Sequence, residues 1–163
     1  PAFAEEGEEA GIVNEVVEEA GAVNEDPVAE EFMEVEDYGS IDNISFLLLT
    51  NGELRISGSG AIPKEAFKEW ENITSVTFEG DITAIGDDAF YDCSKITSIS
   101  LPSTLTYIGM FAFSGCSSLK SIELPDGLTE IGMDAFNECR SITEIELPRS
   151  VSVTKKYLYV TTI

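Results

Sequence analysis

Residues 103–125 read STLTYIGMFAFSGCSSLKSIELP, and the 23 residues on each side of this stretch repeat its pattern. The preceding unit, residues 80–102, is GDITAIGDDAFYDCSKITSISLP, and the following unit, residues 126–148, is DGLTEIGMDAFNECRSITEIELP. Nine of the 23 positions are identical in all three units: Thr, Ile, Gly, Ala, Phe, Cys, Ile, Leu and Pro. An apolar frame that recurs at a period of about 20 to 50 residues predicts stacked supersecondary units.

The second half of each unit has the pattern of a short strand. Ile122 and Leu124 lie two residues apart with polar residues on either side of Ile122, which is the alternation of a half-buried strand. Pro125 then ends the strand, because proline lacks the backbone donor that a sheet requires. Stacking the units predicts two apolar ladders, which are Ile99, Ile122 and Ile145, and Leu101, Leu124 and Leu147.

The first half of each unit has the pattern of a helical turn. Ala112, Phe113 and Cys116 fall at positions i, i+1 and i+4, which face one way on a helix. Gly109, just before them, predicts a turn that needs positive φ. A strand on one side of each coil and a helical turn on the other together predict an α/β repeat solenoid. Its turn side is expected to carry a buried column of Phe90, Phe113 and Phe136.

The residues before the repeats predict an N-terminal β-hairpin cap, residues 40–79. Asn51-Gly52 separates two apolar runs, Phe46–Thr50 and Glu53–Ser57, and this dipeptide favours a tight hairpin turn. Gly58-Ser59-Gly60 is expected to end the second strand. A short helix is then predicted to begin at Pro63, with Phe67 and Trp70 buried on one face.

Residues 1–39 are predicted to be an acidic, disordered arm. They contain 14 Asp and Glu and no Lys or Arg, and EEAGIVNE at 8–15 is nearly repeated by EEAGAVNE at 18–25. So acidic a segment buries too little apolar surface to offset its ordering entropy. Ala2-Phe3-Ala4 has the A-x-A form of a signal-peptidase site, so we expect the arm to follow a signal-peptide cleavage region and the protein to be exported.

The repeated unit resembles the BspA-like (Treponema pallidum-type) leucine-rich repeats of bacterial surface proteins. The family pattern L-x-x-I-x-L-P, then L-x-x-I-G-x-x-A-F-x-x-C, appears as Leu119–Pro125 with Leu128–Cys139. The resemblance covers roughly residues 44–150 and implies three leucine-rich repeats over 80–148. It also implies a non-enzymatic secreted or cell-surface bacterial protein that serves in adhesion or protein binding, with no catalytic residues. The pattern fails after Pro148, so residues 149–163 are predicted to be a degenerate repeat or C-terminal cap, with only Val151 in register.

Composition argues against several kinds of function. The net charge of −22 disfavours nucleic acid and anionic membranes as partners, and no apolar run is long enough for a membrane span. The chain has no histidine, which excludes a Cys–His dyad and an HExxH metal site. Cys93, Cys116 and Cys139 recur every 23 residues, and we expect free buried thiols in preference to one disulfide. No cofactor or metal is predicted.

The strand side is the predicted binding face, with a protein, an extracellular-matrix component or another host surface ligand as partner. A spacer that self-associates through its C-terminal edge, Val153–Ile163, remains an alternative. A hydrolase that uses the stacked Glu residues is a weaker one. The strand-face residues are Ser98, Ser100, Lys120, Ser121, Glu123, Glu144 and Glu146, with Thr97 and Thr143 at the margin.

Overall fold

The computed structural model describes residues 34–151, and this part of the chain contains one seven-stranded sheet and no helix. The strands are β1 Val35–Ile41, β2 Ile44–Leu49, β3 Glu53–Ile62, β4 Ser75–Ile85, β5 Ser98–Ser100, β6 Tyr107–Ile108 and β7 Glu130–Ile131. The sheet has the order β1-β2-β3-β4-β6-β7, and β5 also pairs with β4. Residues 1–33 of the predicted arm and residues 152–163 of the predicted C-terminal cap lie outside the described range.

The hairpin around Asn51-Gly52 is confirmed. Strands β2 and β3 are antiparallel with Leu48 opposite Leu54, and Gly52 has φ +85°. However, β3 continues to Ile62, so the predicted break at Gly58-Ser59-Gly60 is wrong. Strand β4 pairs in parallel with β3 along this stretch, and the register of the pairing shifts after Gly60.

The described structure begins before the predicted start at residue 40. Strand β1 pairs antiparallel with β2, so the predicted boundary after residue 39 falls inside a strand. Composition concealed this strand because only Val35, Gly39 and Ile41 are partly buried, while acidic and polar residues occupy its other positions. An edge strand with a polar surface has the composition of a solvated arm.

Parallel pairing links the coils at two places. Strand β4 pairs with β5 through Ser75–Thr77 and with β6 through residues 84–85, and β6 pairs with β7. The predicted strand is present in the first unit as β5, but residues 121–125 and 142–148 contain no strand. The pairing over Tyr107–Ile108 was not anticipated, because two residues are too few to produce an alternating pattern.

The predicted helical turns are wrong, and so is the predicted helix at Pro63. In the turn segments at 65–69, 88–92 and 111–115, alternate N–H groups bind carbonyls of the next coil at 2.7–3.0 Å, for example from Phe90 to Ala112 and from Phe113 to Ala135. The intervening N–H groups bind carbonyls three residues back, as from Cys116 to Phe113 at 3.1 Å. A helix would use these donors within the segment, so the stacking of the coils replaces helix with a run of turns. The α part of the predicted α/β class is therefore not observed in residues 34–151.

The core contains a column of stacked aromatic rings within one cluster of buried apolar residues. Phe67, Phe90, Phe113 and Phe136 stack with ring centroids 5.3, 5.3 and 5.5 Å apart, and all four are buried. Ile99 and Ile122 are buried as predicted, but Ile145 is only partly buried. In the leucine ladder, Leu101 and Leu124 are partly buried and Leu147 is exposed.

A degenerate repeat precedes the three predicted ones. Ala66, Phe67 and Ile73 lie 23 residues before Ala89, Phe90 and Ile96, and all but the partly buried Ala66 are buried. The turn segment at 64–70 makes the same inter-coil hydrogen bonds as the later ones. Trp70 stands where the later units have cysteine. The segment predicted to be part of a cap therefore follows the path of a coil.

Gly109 was predicted to supply a turn with positive φ, and this is wrong. The position needs glycine because the neighbouring coil approaches it closely. Its φ is not in the left-handed region. A Cβ at this position would lie 2.6 Å from the backbone N and the Oδ1 of Asp87 in the preceding coil. Glycine is repeated at this position because neighbouring backbones meet there.

Candidate functional site

All seven predicted strand-face residues are exposed. Ser98 and Ser100 lie on β5, in register with Ser75 and Thr77 of β4, so the polar surface begins one coil earlier than predicted. Their counterparts in the next two units lie on segments that run beside β5 without strand pairing. These counterparts are Ser121, Glu123, Glu144 and Glu146, with Lys120 next to Ser121.

Threonine hydroxyls tie the coils together beside this face. Thr97 donates both its N–H and its Oγ1 hydroxyl to the carbonyl of Thr74, at 2.8 and 3.1 Å. The invariant threonines at the other strand position do the same, with Thr106 bound to Thr83 and Thr129 bound to Thr106. Thr97 was predicted to lie at the margin of the face, and its hydroxyl instead bonds to the preceding coil and stabilises the stack.

The charged residues of the face form no ion pair with other described residues. The ion pairs found between described residues join Arg55 to Glu53, Lys64 and Lys68 to Glu65, and Arg140 to Glu138. None of these pairs includes a predicted strand-face residue. Three carboxylates and one ammonium group on the face, those of Glu123, Glu144, Glu146 and Lys120, therefore point to solvent without a charged partner in the described range.

The stacked carboxylates do not assemble into a cation site. Residues 34–151 contain no group of three or more Asp, Glu, Cys or His positioned to hold a metal ion. The face thus offers a row of separated negative charges, which suits recognition by a partner surface more than chemistry.

The three cysteines are buried, free thiols, as predicted. Each Sγ donates to a phenylalanine carbonyl of the preceding coil, at 3.0 Å from Cys93 to Phe67 and 3.1 Å from Cys139 to Phe113. Burial raises the pKa of Cys93 and Cys139 to about 12 and the pKa of Cys116 well above its usual 9.0. The thiolate needed by a nucleophile is therefore strongly disfavoured in this core.

A shallow, open depression lies where β1 meets the first turn segment, and sequence reasoning missed it. It is lined by Asp37, Glu69, Trp70, Glu71 and Asn72. These residues come together only because β1 packs against the first coil, so no spacing in the sequence predicts the depression.

The repeats of this chain match a known protein family. The family described as "BspA type Leucine rich repeat region (6 copies)" matches residues 56–162. This chain belongs to the BspA-type leucine-rich repeat family. The match includes the degenerate coil that precedes the predicted repeats. The family is defined by its repeats, and no catalytic family is indicated.

Solved structures of leucine-rich repeat proteins share the fold. The T. pallidum leucine-rich repeat protein TpLRR is 27% identical with a TM-score of 0.56, covering 71% of this chain and 59% of that chain. A Bacteroides ovatus leucine-rich repeat protein is 28% identical with a TM-score of 0.57, covering 69% of this chain and 36% of that one. A leucine-rich cell surface protein from Faecalibacterium prausnitzii is 30% identical with a TM-score of 0.54, covering 71% and 35%.

The BspA-type chain therefore spans only 35–59% of the length of these three structures. No curated protein matches it. Within residues 34–151, no helix is long and apolar enough to cross a membrane.

Proposed function

We propose that this chain is a non-enzymatic protein-interaction module of a secreted or cell-surface bacterial protein, and that it binds through its strand face. The observation that carries the proposal is the row of exposed polar residues on a BspA-type repeat, free of ion pairs with other described residues. A structural relative at 30% identity is described as a cell surface protein, which supports the surface location.

The geometry suits binding because a repeat stack presents its side chains at fixed spacing. Ser98, Ser121 and Glu144 occupy the same position in successive coils, so they form one row. Ser100, Glu123 and Glu146 form a second row two residues along. A rigid, pre-formed surface loses little conformational entropy when a partner docks. Three units offer a small area, which favours weak contacts strengthened by multivalency.

Surface plasmon resonance against a panel of purified extracellular-matrix proteins tests the proposal. We expect at least one panel member to bind, and Glu123→Lys to weaken that binding by roughly tenfold or more because it reverses a charge in the centre of the face. Asp81→Lys is the matched control, since Asp81 is an equally exposed acid on β4 away from the face. Equal losses for the two variants, or no binding by the parent, would overturn the proposal.

A further inference from the structure

The coils present a distinctive surface where each strand segment enters the turn segment. In the middle coil this corner carries Tyr107, Met110 and Phe111 in place of the acidic and small residues found in the coil before it. Tyr107 lies between Ala84 and Glu130 of the adjacent coils in the parallel ladder. The middle coil therefore places three large apolar or aromatic side chains in one short row.

Backbone hydrogen bonds fix the rest of this arrangement. The N–H of Asp88 binds the carbonyl of Met110 at 2.9 Å, and the N–H of Phe111 binds the carbonyl of Met133 at 3.0 Å. Asp87 Oδ1 accepts the N–H of Met110 at 2.8 Å. Met133 thus follows Met110 in the next coil and extends the apolar row across the stack. We call Tyr107, Met110, Phe111 and Met133 the corner patch.

The corner patch contributes nothing to the core. Met110 and Met133 are 41% and 42% exposed, Tyr107 and Phe111 are partly exposed, and none of the four packs into the core cluster. Clustered large apolar side chains on a surface mark interaction sites more often than scattered single ones do. Met is also adaptable enough to fit varied partners.

Phe111 stands in a backbone conformation that phenylalanine rarely adopts. Its φ is +53°, and the equivalent residues Asp88 and Asp134 have φ +54° and +55°. Aspartate tolerates this region far better than a bulky aromatic residue does. Phe111 does not pack into the core cluster, so core packing does not offset this backbone strain. Strain of this kind is concentrated at functional sites.

Acidic residues flank the corner patch on both sides. Asp87 and Asp88 precede its middle row in the stack, and Glu130 and Asp134 follow it. Tyr107 reports this environment, because its pKa is raised by burial and then by the charges of Asp87 and Glu130. A chain with a net charge of −22 would meet like charge if a second copy docked here.

We propose that the corner patch is a docking surface for a partner protein segment in which an apolar side chain is flanked by Lys or Arg. The apolar side chain would cover Met110 and Phe111, and the basic groups would meet the carboxylates on either side. Counted from the first residue of each 23-residue unit, the corner patch occupies positions 5, 8 and 9, whereas the strand face occupies positions 18, 19 and 21. The two surfaces are thus separate, and either proposal stands if the other fails.

Fluorescence anisotropy with two labelled peptides tests this proposal on the full chain. One peptide is acetyl-Lys-Lys-Leu-Phe-Lys-Lys-amide, and the other replaces Leu-Phe with Ser-Ser at the same charge. We expect the apolar peptide to bind at least about tenfold more tightly, because it alone buries apolar surface. Phe111→Asn is expected to remove that difference while keeping the fold, since Asn tolerates positive φ and leaves the charge unchanged.

Leu147→Asn is the matched control, because Leu147 is an exposed apolar residue outside the patch. It should leave the preference for the apolar peptide intact, and Met110→Gln should weaken it as Phe111→Asn does. The proposal is overturned if neither peptide binds, if both bind equally, or if Phe111→Asn and Met110→Gln have no effect. Concentration-dependent dimerisation of the parent that is lost in Phe111→Asn would overturn it in favour of a second copy.

Discussion

Phe113 shows how one side chain serves two interfaces of the stack. Its ring lies between those of Phe90 and Phe136, at 5.3 and 5.5 Å, and it is fully buried. Truncation would remove both ring contacts and leave a cavity that the repeated backbone bonds prevent from collapsing. We expect Phe113→Ala to lower the free energy of unfolding by about 3–5 kcal/mol, measured by urea denaturation.

Tyr38→Ala provides the comparison, because Tyr38 is 69% exposed on the edge strand β1. This substitution should change the free energy of unfolding by no more than about 0.5 kcal/mol. A urea midpoint for Phe113→Ala equal to that of the parent would contradict the assignment of the ring column.

Single residues were the most predictable level of this structure. Phe113 and Cys116 recur in three units at constant spacing, and a residue that returns at every coil must face the same environment each time. The earlier ring, Phe67, was placed in a cap instead, because Trp70 replaces the cysteine and the unit lacks its final proline. The pair Ala66-Phe67, 23 residues before Ala89-Phe90, was the available signal.

Local elements were less predictable, and the turn segment explains why. The apolar spacing of Ala112, Phe113 and Cys116 is common to a helical turn and to a run of β-turns. What separates the two is the destination of alternate N–H groups, which here bind the next coil. That pairing joins residues 22 positions apart, such as Phe90 and Ala112, and no local pattern encodes it. The corner patch was not predicted, because Tyr107, Met110 and Phe111 stand at positions that are not identical among the three units.

The close approach of the coils makes a prediction for the elements that meet at Gly109. Gly109→Ala should lower the free energy of unfolding by about 1–3 kcal/mol, because the new methyl group would press on the backbone of residues 86–87. Gly127→Ala is the control, since its Cβ would lie 3.5 Å from the nearest atom, the carbonyl oxygen of Ser103. Thermal unfolding that reverses this order would show that the backbones do not meet as described.

The whole molecule contains a buried column of thiols that runs through successive coils. Because burial raises the pKa of Cys93 and Cys139 to about 12, the folded chain holds these protons when the unfolded chain, with a pKa near 9.0, has released them. The unfolded state then binds fewer protons, so stability falls as pH rises. The contribution is fully present below pH 9.0 and is lost progressively toward about pH 12.

We therefore expect the free energy of unfolding to drop between about pH 9 and pH 10.5 in urea titrations. In a variant with all three cysteines changed to alanine, the free energy of unfolding should fall less over the same pH interval, because its unfolded state has no thiols to ionise. Parallel pH profiles for parent and variant would argue that the thiols are not buried. The difference between the profiles isolates the thiols from tyrosines and lysines, which ionise at high pH in both proteins.

The turn bonds have a consequence for how such proteins change over generations. Between neighbouring described coils, alternate N–H groups of one turn segment bind carbonyls of the following coil, and these carbonyls stand at the same positions each time. Removing residues 103–125 would bring Phe90 against Phe136 with donors and acceptors already matched. Gene duplication or deletion in whole 23-residue steps can therefore change the length of the protein while each junction stays chemically the same.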